Sequence, residues 1–406
     1  MPASRRRFLP HTLLAAVVLL AAVGSSAIAY ALPLPNGPND FNSPGFIVRH
    51  VWVKFAMLAT RPLRGEMSAA QQDAQVARFF DLNAAIAEQE RIAGDPASSA
   101  QISAAATARD RVLRSERDGI QNSVQLILEG RLTKAIEQAG LTRHAGGDFV
   151  WPPVNIQFQD PPSVLVRSPR DEIRVESEQL LQGNLPIDRV ERLEAAAQAD
   201  GKTSALVVQI GGIAMYPAII PYDSDYSYIM QDIAHEWTHH YLFFTPLGRR
   251  YFASAQLTTL NETVADIVGR ELGDRLVASY PLPATASPAP SATATPQPGA
   301  IDFTAVMRGL HTYVVALLKQ GKVTEAEALM ERTRQYLAAH GYYIRKLNQA
   351  YFAFHGSYAD TAGSIDPIGP KLDRLRTESA SLKVFVERAQ NFTSEADLNR
   401  ALAATR

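Results

Sequence analysis

Between Ser227 and Phe244 the residues Ile229, Met230, Ile233, Trp237 and Tyr241 recur at helical spacing. His235 and His239 fall on the face they leave open. A helix turns about 100° per residue, so imidazoles four positions apart project side by side and reach one point in space. The apolar stripe commits the other side of this helix to a core, so the histidines must face something else. Glu236 lies beside them, whereas His240 lies off that face and reads as a hydrogen-bonded core histidine. Pro246 stops the segment.

A second helix is predicted over 255–279, with Leu257, Leu260, Val264 and Ile267 on one face and Glu262 and Asp266 on the other. Gly269, near the carboxylate face, lets this helix approach the first closely. The chain contains no cysteine, which excludes thiolate ligands, disulfides and a cysteine nucleophile. A metal must therefore rest on histidine and carboxylate. Two histidines four apart need a third protein ligand beside an open position, and Glu262 is the candidate. Asp266 is spaced to accept the free N–H of a ligating histidine. Glu236 is set to touch water at the metal without ligating it.

The pair His235-Glu236-Trp237-Thr238-His239 and Asn261-Glu262-Thr263-Val264-Ala265-Asp266-Ile267-Val268-Gly269 resembles the gluzincin family of zinc metallopeptidases, and the second stretch looks especially thermolysin-like. The resemblance covers roughly residues 204–275. It implies that Zn²⁺ is bound by His235, His239 and Glu262, that Glu236 is the catalytic base and that Asp266 supports a ligand histidine. It also implies a peptide or protein substrate pairing with an edge strand, here Ile213–Ala218. Gly212-Ile213-Ala214-Met215 echoes the Gly-Ala-Met-Glu-Asn element of related aminopeptidases without its glutamate, so endo- and exopeptidase both stay open. Such a peptidase needs a donor for the oxyanion. Tyr351, His355 and Tyr358 crowd a helix end closed by Gly356, and Arg308 with His311 forms a second set.

The remaining chain predicts an α+β architecture: an N-terminal membrane anchor, a helical N-terminal segment, a small sheet with the two site helices, and a helical C-terminal part closing the cleft. Arg5–Arg7 precede an uncharged apolar stretch, Leu13 to Ala31, that ends in small residues. This reads as a signal peptide or anchor over residues 1–32, its length favouring the anchor, with the catalytic region exported. Ser4–Leu9 looks like a twin-arginine signal, and the export route stays open. Residues 33–145 hold a Pro-rich tether (33–48) and helices broken at Gly94-Asp95-Pro96. Residues 146–280 hold the catalytic core, with strands at Val154–Phe158, Ser163–Val166, Ile173–Glu176 and Ser204–Ile210. Gly211-Gly212 reads as a hairpin turn into Ile213–Ile220. Residues 281–300, nearly all Pro, Ala, Ser and Thr, read as a disordered insertion, and 301–406 as helices at 301–320, 323–340, 342–355 and beyond. A formal net charge of -1 leaves no footprint for nucleic acid. The rival reading is an envelope scaffold or peptide-binding protein with an inactive zinc site.

Overall fold

The computed structural model describes residues 37–50, 67–144, 148–282, 301–358 and 361–404. The anchor expected at 1–32 and nearly all of the tract at 281–300 lie outside them. Among the described residues no helix is long and apolar enough to cross a membrane.

The protein is mixed α+β. A long antiparallel pair, α1 (Ala69–Gly94) and α2 (Ala100–Gln138), breaks where Gly94, Asp95 and Pro96 interrupt the helical pattern. Ser68 and Gln71 form a reciprocal capping box that starts α1. Short strands follow: β1 (Arg143–His144), β2 (Asp148–Phe149), β3 (Ile156–Phe158), β4 (Ser163–Pro169) and β5 (Ser177–Leu181). Then come α3 (Ile187–Ala197), β6 (Thr203–Gln209), β7 (Ala218–Ile220) and the first site helix, α4 (Tyr226–Phe243). A short α5 (Pro246–Arg249) leads to the second site helix, α6 (Ala255–Ser279). The C-terminal part is helical: α7 (Phe303–Lys319), α8 (Val323–Ala339), α9 (Gln349–His355), α10 (Ile368–Thr377), α11 (Leu382–Ala389) and α12 (Glu395–Ala403).

One core is mostly helical, with Ile156 and Phe158 of β3 and Ala218 and Ile220 of β7 also in it. It joins α1, α2, α6 and α10–α12 to Ile229, Met230, Ile233, Trp237 and Tyr241 of α4, the stripe expected from spacing. The antiparallel sheet β5-β4-β6 builds a second core. Its register puts even-numbered side chains on one face, where Val164, Val166, Leu180, Leu206 and Val208 pack against Met215, Tyr216 and Phe354. The odd-numbered Leu165, Leu181 and Ala205 pack on the other.

Several expectations require correction. Ile173–Glu176 is not a strand; β5 begins at Ser177, where backbone pairing with β4 holds it. Gly211-Gly212 does not turn a hairpin: neither glycine has positive φ, and β7 pairs in parallel with β3 rather than with β6. The expected edge strand Ile213–Ala218 is reduced to a single bridge between Ile213 and Ile219. The helix expected at 342–355 is confined to Gln349–His355, because Gly341 takes φ +88° and Asn348 caps the later start. Part of the expected tether packs instead: Asp40 bridges to Leu181, and Phe46 and Ile47 are buried against the sheet.

The outer edge of β6 is closed by side chains. Buried Glu194 accepts from the Val207 N–H (2.7 Å) and from Lys346 Nζ (3.1 Å), and Arg345 bonds both Glu194 and the Val207 carbonyl. Asn348 Nδ2 donates to the Ala205 carbonyl at 3.0 Å. Burial opposes ionisation of Glu194, but Arg345, the Val207 N–H and Lys346 outweigh it and hold its pKa below the ordinary glutamate value. The stabilisation is therefore full above about pH 4.5 and is lost as pH falls through the depressed value. Glu194→Gln should cost about 1–3 kcal/mol near neutrality. Urea midpoints of both proteins should converge as pH drops below about 4.5, and a constant difference down to about pH 2 contradicts this.

Candidate metal centre

Two capped helices position the centre. Asp225 caps α4 by accepting from the Tyr228 N–H, and Ser254 caps α6 by accepting from the Leu257 N–H. Gly269 faces α4 so closely that a Cβ there would lie 2.9 Å from the Gln231 carbonyl oxygen and 3.0 Å from His235 Cβ. This contact brings the carboxylates of α6 to the histidines of α4.

His235, His239 and Glu262 form a group able to hold a metal ion. The two Nε2 atoms stand 3.0 Å apart, and Glu262 Oε2 lies 3.5 Å from His235 Nε2 and 3.4 Å from His239 Nε2. The far side of each ligand is tied down. His235 Nδ1–H donates to Asp266 Oδ1 at 2.9 Å, His239 Nδ1–H donates to Asn261 Oδ1 at 2.8 Å, and the Tyr251 hydroxyl donates to Glu262 Oε1. Each imidazole thus turns Nε2 toward a shared centre. Asp266 is where its spacing suggested, whereas Asn261 and Tyr251 were missed. Tyr251 arrives through the turn between α5 and α6, which no periodicity signals.

Burial opposes charge on His235, but Asp266 and Glu262 overcome it and hold the imidazole pKa well above its usual value. Burial likewise opposes ionisation of Glu262, yet His239 and His235 hold this carboxyl well below the usual carboxylate range. Glu236 is pushed well up, first by burial and then by Asp232, Glu262 and Asp266, against the opposing pull of His235. Its Oε1 sits 2.4 Å from where a Cβ on Gly212 would be, so this position needs glycine for close approach rather than for a turn.

The centre opens into a cleft of about 440 Å³. Gln209 to Ala214, Tyr228, Asp232, Glu178, His355 and Tyr358 contribute to its lining. Tyr351 lies outside that lining and packs its ring 4.3 Å from that of His355. Burial lowers the pKa of His355 to about 4, so its ring is neutral at pH 7. His311 and Arg308 are away from the cleft. The buried His311 donates Nδ1–H to the Gly363 carbonyl at 2.6 Å and stacks on Phe352, and Arg308 is exposed. His240 keeps its core role, donating Nε2–H to the Met215 carbonyl at 2.7 Å. The chain matches no known protein family, no curated protein and no solved structure.

Proposed function

We propose that the protein is a zinc-dependent peptidase that acts outside the cytoplasmic membrane. The observation that carries this reading is the convergence of His235, His239 and Glu262 beside Glu236 in the lining of one cleft. The donor set suits zinc. Tetrahedral bonds of about 2.0–2.1 Å separate neighbouring donors by about 3.3–3.4 Å; the two His–Glu262 separations are 3.4 and 3.5 Å, and the two imidazole nitrogens, at 3.0 Å, stand somewhat closer. Export is supported by Arg5–Arg7 ahead of the apolar stretch to Ala31.

When bound, zinc supplies Lewis acidity toward a scissile carbonyl and acidifies water. The chain's own residues do the rest. Glu236 is buried and makes no hydrogen bond with another described residue, so its carboxylate is free to take the water's proton and return it to the leaving amine. Asp266, Asn261 and Tyr251 keep the ligand atoms aimed. Neutral His355, which also lines the cleft, is available to donate its N–H to the developing oxyanion. A substrate backbone finds a partner only at the end of β6, at Gln209, because side chains close the edge at Ala205 and Val207. Val207 turns its N–H and carbonyl to the outer edge, and by the same alternation so does Gln209, where the edge reaches the cleft.

The purified chain should carry about one zinc ion and cleave members of a mixed peptide library. A chelator should abolish cleavage and added zinc should restore it. Zinc content without turnover of any peptide would favour the scaffold or peptide-binding reading.

A further inference from the structure

The even-numbered face of the sheet is apolar along all three strands, apart from Ser168, Ser204 and one residue, Glu178. Glu178 is two positions from the buried Leu180 on β5 and opposite the buried Val166 on β4. Register therefore puts a carboxylate where the core pattern calls for an apolar side chain. It is half-buried, lines the cleft, and makes no hydrogen bond or ion pair with any described residue. A carboxylate partly withdrawn from water and left without a partner costs the fold stability.

The charge of the cleft points the same way. Glu178, Asp232, Glu236, Glu262 and Asp266 line it, with Arg270 the one arginine or lysine among the lining residues. Asp232 Oδ2 is itself buried with no hydrogen-bond partner among the described residues. Burial, reinforced by the charge of Glu262, pushes the Glu178 carboxyl up to about 7, and an entering cation would reverse that shift.

We propose that Glu178 is the specificity-determining residue of the cleft, pairing with a positively charged group of the substrate, either a basic side chain or a free α-amine. This rests on the peptidase reading and deepens it by naming the substrate class as cationic peptides. The partner forms a charge-assisted hydrogen bond in a partly desolvated site, where such a bond is stronger than at an open surface.

The test uses the zinc-loaded full chain carrying Glu236→Gln, so that bound peptides persist. Three pentapeptide amides serve as probes: acetylated Ala-Ala-Lys-Ala-Ala, its acetylated norleucine counterpart, and the norleucine peptide with a free amine. At least one cationic probe should bind tenfold or more tighter than the acetylated norleucine peptide, and which one does so identifies the source of the charge. Adding Glu178→Gln should erase the preference with zinc content unchanged. Glu178→Leu should erase it too while raising the melting temperature, because leucine suits that face. Equal binding of all three probes, a preference that survives Glu178→Gln, or a melting temperature lowered by Glu178→Leu would each overturn the proposal. Cleavage of the same probes by the chain with Glu236 intact is read separately. Its absence would count against the peptidase reading alone.

Discussion

Glu236→Gln should keep about one zinc ion per chain and lose turnover by about 10²–10⁴-fold, whereas Glu262→Ala should lose the metal itself. Both are buried glutamates of the same centre, yet their surroundings assign them different work. Glu262 Oε2 lies within 3.5 Å of both Nε2 atoms, and its other oxygen is engaged by Tyr251. Removing it leaves two imidazoles to hold the ion. The Glu236 carboxylate sits against Gly212 with no hydrogen bond to another described residue, so its amide replacement disturbs none of the three ligands. Asp266→Ala and Asn261→Ala should fall between, weakening metal affinity by about 10–100-fold through loss of the partner that orients each ring. Atomic absorption and turnover on the same preparations decide it. A metal-free Glu236→Gln beside a metallated, active Glu262→Ala would reverse the assignment.

Gly269→Val should strip the centre of zinc affinity without touching a ligand. A Cβ at Gly269 meets the Gln231 carbonyl oxygen at 2.9 Å and the His235 backbone nitrogen at 3.1 Å, so α4 and α6 must part. The separations near 3.4 Å between Glu262 and the histidines then widen beyond what one small ion spans. Overpacking here should also cost about 1–3 kcal/mol in stability. Gly130→Ala provides the contrast. It lies inside α2 with nothing within 4 Å of the added carbon. Removing a helix-interior glycine there should raise stability by about 0.5–1 kcal/mol. Opposite signs in two calorimetric scans, with zinc lost only from Gly269→Val, would bear this out. Retention of wild-type zinc affinity by Gly269→Val would show that the helices tolerate separation.

What could be read in advance follows from how local each signal is. The run of α6, Ala255–Ser279, is legible because its 3.6-residue apolar period belongs to the segment itself. The same holds for His235 and His239, whose shared face is set by helix geometry alone. Glu178 was not legible. Ser-Glu-Gln-Leu-Leu has little of the character of a strand, and β5 exists because β4 lies beside it. Asn261 and Tyr251 matter only through a helix crossing and a turn that no pattern of spacing records. Gly211-Gly212 misled for a related reason. The shape demanded at Gly212 is set by Glu236, a residue 24 positions on, and not by the backbone on either side.

The side chains that close β6 also have a bearing on how the chain is made. Glu194 precedes the strand, but Arg345 and Asn348 are translated more than 130 residues after Val207. A nascent or clipped chain ending before them presents β6 with the carbonyls of Ala205 and Val207 bare. Bare strand edges recruit other strands, so that interval is when this protein is most open to sticking to its own copies. Until residue 348 arrives, the carbonyls that these side chains later cover lie open to the wrong guest.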